Sequence, residues 1–475
     1  MKKNLIYNVL YQILLLIIPL ITAPYLSRIV GAKGVGIYSY TYSIVYYFML
    51  LTLLGLNNYG NRSIAKVRSN KEKLSKTFWS IYSFQLIMGL IMLVIYISYI
   101  LIFNNQYKMY ATIEILFIIS AMIDINWFFF GMEEFKKTIT RNTFVKLGNI
   151  VLIFLLVKSS DDLWKYTLIM AGMTCLSQIL LWSFLKKYIK FEKITWNDIK
   201  KHIKPNLILF VPVIAVSLYK IMDKIMLGGI VSVTEVGYYE NAEKIVGIPM
   251  AIINAIGTVM LPRISNIVSI GETEKVKKYI NKSMGLVMFL SFAMCTGLIS
   301  IGYNFAPMYF GIKFQKTGIL IMMLAFTLPF LSFANVLRTQ YLIPREKDKI
   351  YIKSVFLGAI TNLIMNCIFI PKYASIGACI GTIAAEFMVM FYQTISVRKE
   401  LPVKEYIFKS IPYLIKSIIM LLIIYPFNYL HLNSFVRLII QVSIGCLVYG
   451  LLNLKYILSI IDINKIIKKL KQKRV

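Results

Sequence analysis

The stretch GVGIYSYTYSIVY, residues 34–46, recurs later in the chain as EVGYYENAEKIVG, residues 235–247. At an offset of 237 minus 36, or 201 residues, the copies share a glycine, a tyrosine and an Ile-Val pair. The matched positions are Gly36 with Gly237, Tyr38 with Tyr239, Ile44 with Ile245 and Val45 with Val246. A proline also lies in an apolar run before each copy, at Pro19 and Pro212. Such self-similarity at a fixed spacing predicts two structurally equivalent halves.

The apolar content of the chain predicts an all-α polytopic membrane protein. Of its 475 residues, 58% are hydrophobic and 16% are charged, whereas soluble domains carry about 25% charged residues. A helix needs about 20 apolar residues to cross a bilayer, and about 14 segments have this length. We predict spans at 5–30, 35–58, 78–103, 110–130, 139–158, 163–185, 205–230, 237–262, 283–303, 316–340, 350–370, 375–397, 411–430 and 433–454.

The repeat assigns these spans to larger units. Because six spans, an even number, separate the two copies, both halves have the same orientation in the membrane. We therefore predict two parallel-repeat six-helix bundles, at residues 1–200 and 201–400. Residues 401–475 would form two accessory helices, 13 and 14, followed by a basic tail.

The net charge of +32 is distributed unevenly between the loops. Basic residues concentrate at the N-terminus, after the even-numbered spans and in the C-terminal tail. Examples are Arg62, Lys66, Lys136, Arg141, Lys187, Lys200 and Lys204. By the positive-inside rule these segments, and both termini, face the cytoplasm. A charge that alternates along membrane spans argues against nucleic acid as a partner.

Cysteine and histidine are too scattered to predict a metal or redox centre. The five cysteines lie in apolar spans without a CxxC spacing, and the two histidines, His202 and His431, lie near predicted span ends. We therefore expect no disulfide framework, no metal site and no cofactor. A His-based catalytic centre is not expected either, and the chain is not predicted to be an enzyme.

Four motifs carry a resemblance to a known family. They are the GVGxY element after span 1, its copy after MDKIMLGG, the segment IDINWFFFGMEEFKKTITRN at 123–142 and MLPRIS at 260–265. In their order and spacing they resemble Wzx-type lipid-linked oligosaccharide flippases of the multidrug/oligosaccharidyl-lipid/polysaccharide exporter superfamily. The resemblance covers essentially the whole chain.

The resemblance implies two bundles around a central cavity, with spans 13 and 14 accessory. It implies a substrate, an undecaprenyl-diphosphate-linked sugar repeat unit, carried from the cytoplasmic to the outer leaflet by alternating access. Capsule, O-antigen or exopolysaccharide synthesis would use the product. The chain contains no GxxxxGK[ST] stretch, so ATP hydrolysis is not the expected energy source.

Span 7 contains three ionisable residues in the stretch SLYKIMDKIMLGG, residues 217–229. Lys220, Asp223 and Lys224 are spaced i, i+3 and i+4, which places them on one helical face. A charge at mid-span costs about 3 kcal/mol, so such residues usually face a cavity or a partner. We interpret Lys220, Lys224 and Arg28 as lining a cationic substrate path, with Asp223 offsetting part of the charge. The alternatives are basic side chains that reach the headgroups and a local ion pair.

Carboxylates in or near spans are candidates for ion or proton coupling, because a buried carboxylate can bind a cation or a proton. The candidates are Glu240, Glu243, Asp124 and Glu386. Glu240 and Lys244 also form a favourable i, i+4 pair, so a solvated helix start is an alternative for Glu240. Asp124 is interpreted as a packing or gating residue.

Three other functions remain open on the sequence alone, and one of them, a flippase for the peptidoglycan precursor, is not excluded by the charge pattern. A cation-coupled multidrug antiporter of the same superfamily would have an acidic or apolar cavity rather than a cationic one. A membrane polysaccharide polymerase would carry a long outer loop with catalytic Arg or His residues, whereas the outer loops here are short. The expected partners are the lipid-linked sugar diphosphate, membrane lipids and the polysaccharide polymerase with its chain-length machinery. The expected location is a bacterial cytoplasmic membrane.

Overall fold

The computed structural model of the chain describes residues 2–103 and 106–460, with the side chains of all these residues except 2–16, 135 and 460. All regular structure in these ranges is helical. Helices suit a bilayer because they satisfy their backbone hydrogen bonds internally, where hydrocarbon offers no water to do so. The predicted basic tail at 461–475 lies outside the described residues.

The first helix, α1, runs over Lys2–Leu53 and contains a backbone break at Gly31. Gly31 has φ 67° and ψ −179°, a conformation that is essentially restricted to glycine. At about 1.5 Å per residue, a continuous helix of this length would extend about 78 Å, far beyond a hydrocarbon core of about 30 Å. The break therefore separates predicted span 1 from predicted span 2.

Most of the remaining helices coincide with predicted spans, although several extend beyond the predicted limits and two short ones correspond to no span. The remaining helices are α2 (Leu56–Val67), α3 (Lys71–Ile102), α4 (Lys108–Met122), α5 (Asn126–Gly131), α6 (Phe135–Leu156), α7 (Leu163–Leu185), α8 (Trp196–Ile230), α9 (Val233–Ser269), α10 (Thr273–Phe310), α11 (Gln315–Ala325), α12 (Thr327–Leu337), α13 (Asp348–Tyr373), α14 (Ser375–Val397), α15 (Val403–Ile424), α16 (Ser434–Leu452) and α17 (Leu454–Ile460). Span 4 is interrupted between α4 and α5, and span 10 between α11 and α12.

Thirteen helical segments in the described residues are long and apolar enough to cross a membrane. The first of them, Ile17–Val67, holds the two spans that Gly31 separates. The count therefore agrees with the prediction of about 14 spans. The protein is an all-α, multi-pass membrane protein.

The chain divides into two compact units. The first contains Met1–Asn241 and Ala359–Gly381, and the second contains Ala242–Gly358 and Thr382–Val475. Aromatic side chains such as Phe78 and Trp127 are fully buried in the first unit, and aliphatic ones such as Ile253 and Leu337 in the second. These boundaries differ from residues 200 and 400, so the division into repeat bundles stays a prediction.

Candidate functional site

Residues 32–40 of α1 pack against residues 233–241 of α9, and we call this contact the α1–α9 crossing. A Cβ atom added to Gly36 would lie 1.6 Å from the carbonyl oxygen of Val233. One added to Gly237 would lie 2.0 Å from the carbonyl oxygen of Ala32. No side chain larger than hydrogen fits at either glycine, because the opposing atoms belong to helical backbone.

The backbone contacts of the crossing are reciprocal. Gly36 and Gly237 are the glycines that the sequence repeat pairs, and Ala32 and Val233 are separated by the same offset of 201 residues. Gly36 thus contacts Val233, and its counterpart Gly237 contacts Ala32, the counterpart of Val233. The sequence repeat corresponds here to a local two-fold relation between α1 and α9.

Side-chain contacts on the flanks of the crossing also occur in pairs that the 201-residue offset relates. The amide of Asn241 donates a 2.8 Å hydrogen bond to the Ser27 hydroxyl. The ring of Tyr40 covers Gly228, where an added Cβ would lie 2.1 Å from a ring carbon. At the 201-residue offset, Ser27 is equivalent to Gly228 and Tyr40 to Asn241. One contact is therefore the counterpart of the other, with different chemistry.

A polar group of three residues lies at the crossing, and we call it the Lys224–Glu240–Ser39 cluster. The Lys224 ammonium is 2.6 Å from Glu240 Oε2, and the two side chains are only 16% and 18% exposed. The Ser39 hydroxyl donates to the same oxygen over 2.9 Å. Ser39 and Glu240 are themselves equivalent positions of the repeat. The structure thus brings together two residues that the sequence placed in different roles.

Asp223 lies one residue before Lys224 but in a different environment. It is 1% exposed. The Tyr239 hydroxyl donates to its Oδ2 over 2.7 Å, and the Asn366 amide donates to its Oδ1 over 2.5 Å. Because these donors come from α9 and α13, Asp223 joins three helices. Sequence reasoning could not find Asn366, since it lies 143 residues from Asp223.

The other two predicted basic residues are exposed. Lys220 lies one turn before Lys224 on α8, and Arg28 precedes the Gly31 break on α1. Lys224 differs from them in exposure, because it is largely shielded from solvent and ion-paired to Glu240.

The α9 segment also contacts the helix that follows α13. Glu235 accepts hydrogen bonds from the backbone N–H and the hydroxyl of Ser375, the first residue of α14. A carboxylate at a helix N-terminus satisfies orphan donors and complements the helix dipole. Glu235 was not singled out from the sequence, although it lies two residues before the repeated Gly237.

Two further coupling candidates lie on α14 and α9. Glu386 is buried within α14, and Glu243 is half-buried on α9. In the described part of the chain, no group of three or more His, Cys, Asp or Glu side chains is arranged to hold a metal ion.

Asp124 lies in the break between α4 and α5. Its Oδ1 accepts hydrogen bonds from the backbone and side-chain N–H groups of Asn126, at 2.8 and 2.7 Å. Arg141 donates to the Asn126 amide oxygen over 2.9 Å and to the carbonyl oxygen of Ser177 over 2.9 Å. The prediction that Arg141 belongs to a cytoplasmic loop was wrong: it lies within α6 and is 6% exposed. Its guanidinium holds the Asn126 side chain, whereas the carbonyl oxygens of the break accept hydrogen bonds from Gln85 and Trp182.

A buried carboxylate that sequence reasoning missed is Glu114 on α4. It is fully buried, and the Thr41 hydroxyl donates to its Oε1 over 2.9 Å. Its second oxygen has no hydrogen-bond partner among the described residues. A lone glutamate in an apolar span was the signal that could have identified it.

The sequence matches one family over more than half of its length. The sequence profile of the polysaccharide biosynthesis proteins covers residues 1–268. The chain is also 24% identical over 412 residues to the putative O-antigen transporter of Escherichia coli (strain K12), a match that covers 84% of this chain and 97% of that protein. A probable low-salt glycan biosynthesis flippase, Agl15 of Haloferax volcanii, is 24% identical over 307 residues, covering 64% of each chain.

Solved structures show the same fold. The lipid II flippase MurJ in an inward closed conformation aligns with a TM-score of 0.80 at 17% identity, covering 96% of this chain and 100% of that chain. An inward-facing multidrug resistance MATE family transporter of the MOP superfamily aligns with a TM-score of 0.62 at 13% identity, covering 82% and 98%. These matches confirm the resemblance to Wzx-type exporters, and the chain belongs to the polysaccharide biosynthesis protein family.

Proposed function

We propose that this protein is a flippase that moves undecaprenyl-diphosphate-linked oligosaccharide repeat units from the cytoplasmic to the outer leaflet of a bacterial cytoplasmic membrane. Translocation would proceed by alternating access, and the product would serve O-antigen, capsule or exopolysaccharide synthesis. The observation that carries this proposal is the match to a putative O-antigen transporter over 97% of that protein's length.

The chemistry of the substrate accounts for the basic residues of α1 and α8. A diphosphate is strongly anionic, and charge-assisted hydrogen bonds from Lys or Arg are the usual way to hold it. Lys220 and Arg28 are exposed and carry the positive charge that the diphosphate requires. In this proposal they contact the diphosphate, while the polyprenyl chain stays in the hydrocarbon.

Lys224 and Asp223 take different roles in this proposal. The ion pair with Glu240 holds the Lys224 ammonium, so its charge becomes available to the substrate only when that pair separates. Asp223 fixes α8 against α9 and α13 through Tyr239 and Asn366. It thereby positions the lysines before and after it, and it limits the net positive charge around them.

The coupling mechanism is proposed from the carboxylates. Glu240, Glu243, Asp124 and Glu386 remain the candidates to bind a cation or a proton in exchange for the substrate. Glu240 is the strongest of them, because its partner Lys224 would lose a counter-charge when Glu240 takes up a proton. Exchange of this kind would let an ion gradient drive the separation of the Lys224–Glu240 pair.

The test is complementation of a bacterial strain that lacks its own repeat-unit exporter. The wild type is compared with Lys220→Ala, Lys224→Ala and Arg28→Ala at matched membrane levels, with surface polysaccharide as the readout. Lys187→Ala, an exposed lysine after α7, is the control for loss of one positive charge. We expect the wild type and Lys187→Ala to restore polymer and the Lys220 variant to lose at least tenfold.

Three outcomes would redirect the assignment. Full restoration by all three site variants would mean that these side chains reach headgroups or serve structure only. Failure of the wild type in hosts with several different repeat units, together with gained resistance to cationic drugs, would favour the antiporter. If the protein lengthens the polymer in this strain but does not act as its exporter, the result would favour the polymerase.

Orientation and partners follow from the same proposal. Both termini would face the cytoplasm, because the basic loops lie on their side of the membrane, and a reporter fused after residue 475 tests this. The exported unit would pass to a polysaccharide polymerase and its chain-length machinery. Co-purification with a polymerase from the native membrane is the corresponding measurement.

A further inference from the structure

A groove on the surface of the first compact unit lies between α2 and α8, and we call it the α2–α8 groove. One cavity of about 550 Å³ is lined by Arg62 and Lys66 of α2 and by Pro205, Ile208 and Leu209 of α8. A second cavity of about 440 Å³ lies along α8 and also includes Ile208. The two cavities share Ile208 as a lining residue, and the α2–α8 groove comprises both of them.

The α8 side of the groove changes character along the helix. Lys200 and Lys204 come first, and Leu207, Ile208 and Val211 follow on the same face. These three apolar side chains are 46%, 60% and 44% exposed, which is the state of side chains that face lipid. At about 1.5 Å per residue, Lys200 to Val211 extends about 16 Å. That length reaches from the headgroup region into the acyl chains, since the hydrocarbon half-thickness is about 15 Å.

The charge of the groove is of one sign. Arg62 and Lys66 on α2, and Lys200 and Lys204 on α8, are exposed, and the described residues that line the two cavities include no acidic side chain. Asp198 lies two residues before Lys200. It is engaged in ion pairs with Lys76 and Lys201 and in the capping box at Thr195 that begins α8.

Polar atoms without partners lie behind the groove on the same turns of α8. Asn206 is fully buried, and neither of its side-chain polar atoms has a hydrogen-bond partner among the described residues. His202 shares a 2.6 Å hydrogen bond with the hydroxyl of Tyr59, which lines the larger cavity, while its Nε2 is unpartnered. Buried polar atoms normally have a partner, so this region can accept a polar ligand or its water.

We propose that the α2–α8 groove binds an anionic phospholipid of the surrounding bilayer. The lipid phosphate lies among Arg62, Lys66, Lys200 and Lys204, and one acyl chain follows Leu207, Ile208 and Val211. Basic pockets between membrane helices on the cytoplasmic side bind such headgroups, and each basic side chain near the surface contributes to the attraction. The bound lipid would tie α2 to α8. This inference does not depend on which molecule the protein transports.

The phospholipid is preferred over two other anions for a physical reason. A free phosphate would use the four basic residues but would leave the apolar stripe of α8 without a role. A lipid-linked sugar diphosphate would add sugars beside the phosphates, and the basic and apolar parts of the groove are both occupied without them. A small anionic headgroup matches the basic part of the groove, and an acyl chain matches its apolar part.

The experiment titrates the full-length protein, purified in a neutral detergent, with phosphatidylglycerol or with phosphatidylcholine of the same acyl chains. Native mass spectrometry counts the retained lipids and gives the apparent Kd. The variants are the pairs Lys200→Gln with Lys204→Gln and Arg62→Gln with Lys66→Gln. The matched control removes two exposed lysines outside the groove, Lys186→Gln with Lys187→Gln.

We expect tight binding of phosphatidylglycerol only, weakened on the order of thirtyfold by each groove pair and less than about twofold by the control pair. Lys200→Arg with Lys204→Arg should retain binding, which separates loss of charge from loss of fold. Dihexanoyl phosphatidylglycerol and glycerol phosphate should bind much more weakly than the long-chain lipid.

Three results would overturn the proposal. Equal weakening by the control pair would indicate diffuse attraction to a basic surface. Binding of glycerol phosphate as tight as that of the long-chain lipid would indicate an anion site without a lipid groove. Displacement of the phospholipid by a lipid-linked sugar diphosphate at lower concentration would assign the groove to the transported substrate.

Discussion

The two copies of the repeat meet at the α1–α9 crossing, and they differ there in an informative way. Their backbones make the same contacts, since Gly36 meets Val233 as Gly237 meets Ala32. Their side chains differ in chemistry, because the contact between the equivalent positions 39 and 240 joins a serine in one copy to a glutamate in the other. Close helix packing requires glycine in both copies, whereas the polar chemistry needs only one carboxylate. The glycine packing is therefore the same in both copies, whereas the carboxylate is present in only one of them.

The largest expected effect comes from breaking the symmetric part. Gly36→Ala and Gly237→Ala each place a methyl group within about 2 Å of helical backbone, and we expect each to cost on the order of 3 kcal/mol. Thermal unfolding in detergent measures the loss. Gly247→Ala on the same helix is the control, because an added Cβ there meets nothing within 4 Å. Unequal losses at Gly36 and Gly237 would argue against a reciprocal crossing.

The next effect separates equivalent tyrosines. Tyr239 donates a hydrogen bond to the buried Asp223, while its counterpart Tyr38 packs against the rings of Tyr42 and Tyr166. Tyr239→Phe should cost about 2 kcal/mol, since the bond is to a carboxylate, and Tyr38→Phe should cost less than about 0.5 kcal/mol. The unfolding midpoints of the two variants provide the comparison. A larger loss at Tyr38 would contradict the asymmetry.

The Lys224–Glu240 pair gives the third prediction. A double-mutant cycle with Lys224→Met and Glu240→Gln should yield a coupling energy of about 1–2 kcal/mol, because both side chains are largely shielded from solvent. In complementation, each single variant should fail, and the exchanged pair Lys224→Glu with Glu240→Lys should recover part of the activity. A coupling energy near zero would mean that the pair is incidental.

The smallest expected effect is at Ser39. Ser39→Ala removes one hydrogen bond to Glu240 but leaves the Lys224 ion pair intact, so a loss of about 1 kcal/mol is expected. Ser43→Ala is a matched control, because the Ser43 hydroxyl donates to the carbonyl oxygen of Ser39 within its own helix. If both serine variants lose the same stability, the bond across the repeat contributes nothing specific.

Much of the fold was predictable because it depends on local properties. Length and apolar content mark the spans, and the glycine and tyrosine positions mark the repeat at its true offset. The break between α4 and α5 was not predictable, since residues 123–125 contain no Pro or Gly. Gln85 on α3 and Trp182 on α7 donate hydrogen bonds to the carbonyl oxygens of that break, and such partners leave no pattern in the local sequence.

The candidate site was predictable in its residues but not in their pairing. Lys224 and Glu240 were both singled out, on separate grounds, and only the structure joins them. The i, i+3, i+4 spacing predicted one environment for Lys220, Asp223 and Lys224. A helical face is about 100° wide, which is enough for Asp223 to be buried while Lys220 is exposed. Asp223 is covered in part by Asn366, which lies on α13 and donates a hydrogen bond to it.

The most direct test of the account is a translocation assay in proteoliposomes that contain the purified full-length protein. A fluorescent undecaprenyl-diphosphate sugar is placed in the inner leaflet, and its arrival in the outer leaflet is read by quenching with an impermeant reagent. The account predicts translocation by the wild type, loss of at least tenfold with Lys220→Ala, and no loss with Lys187→Ala. Wild-type liposomes that translocate no faster than protein-free ones, under an imposed ion gradient, would contradict it.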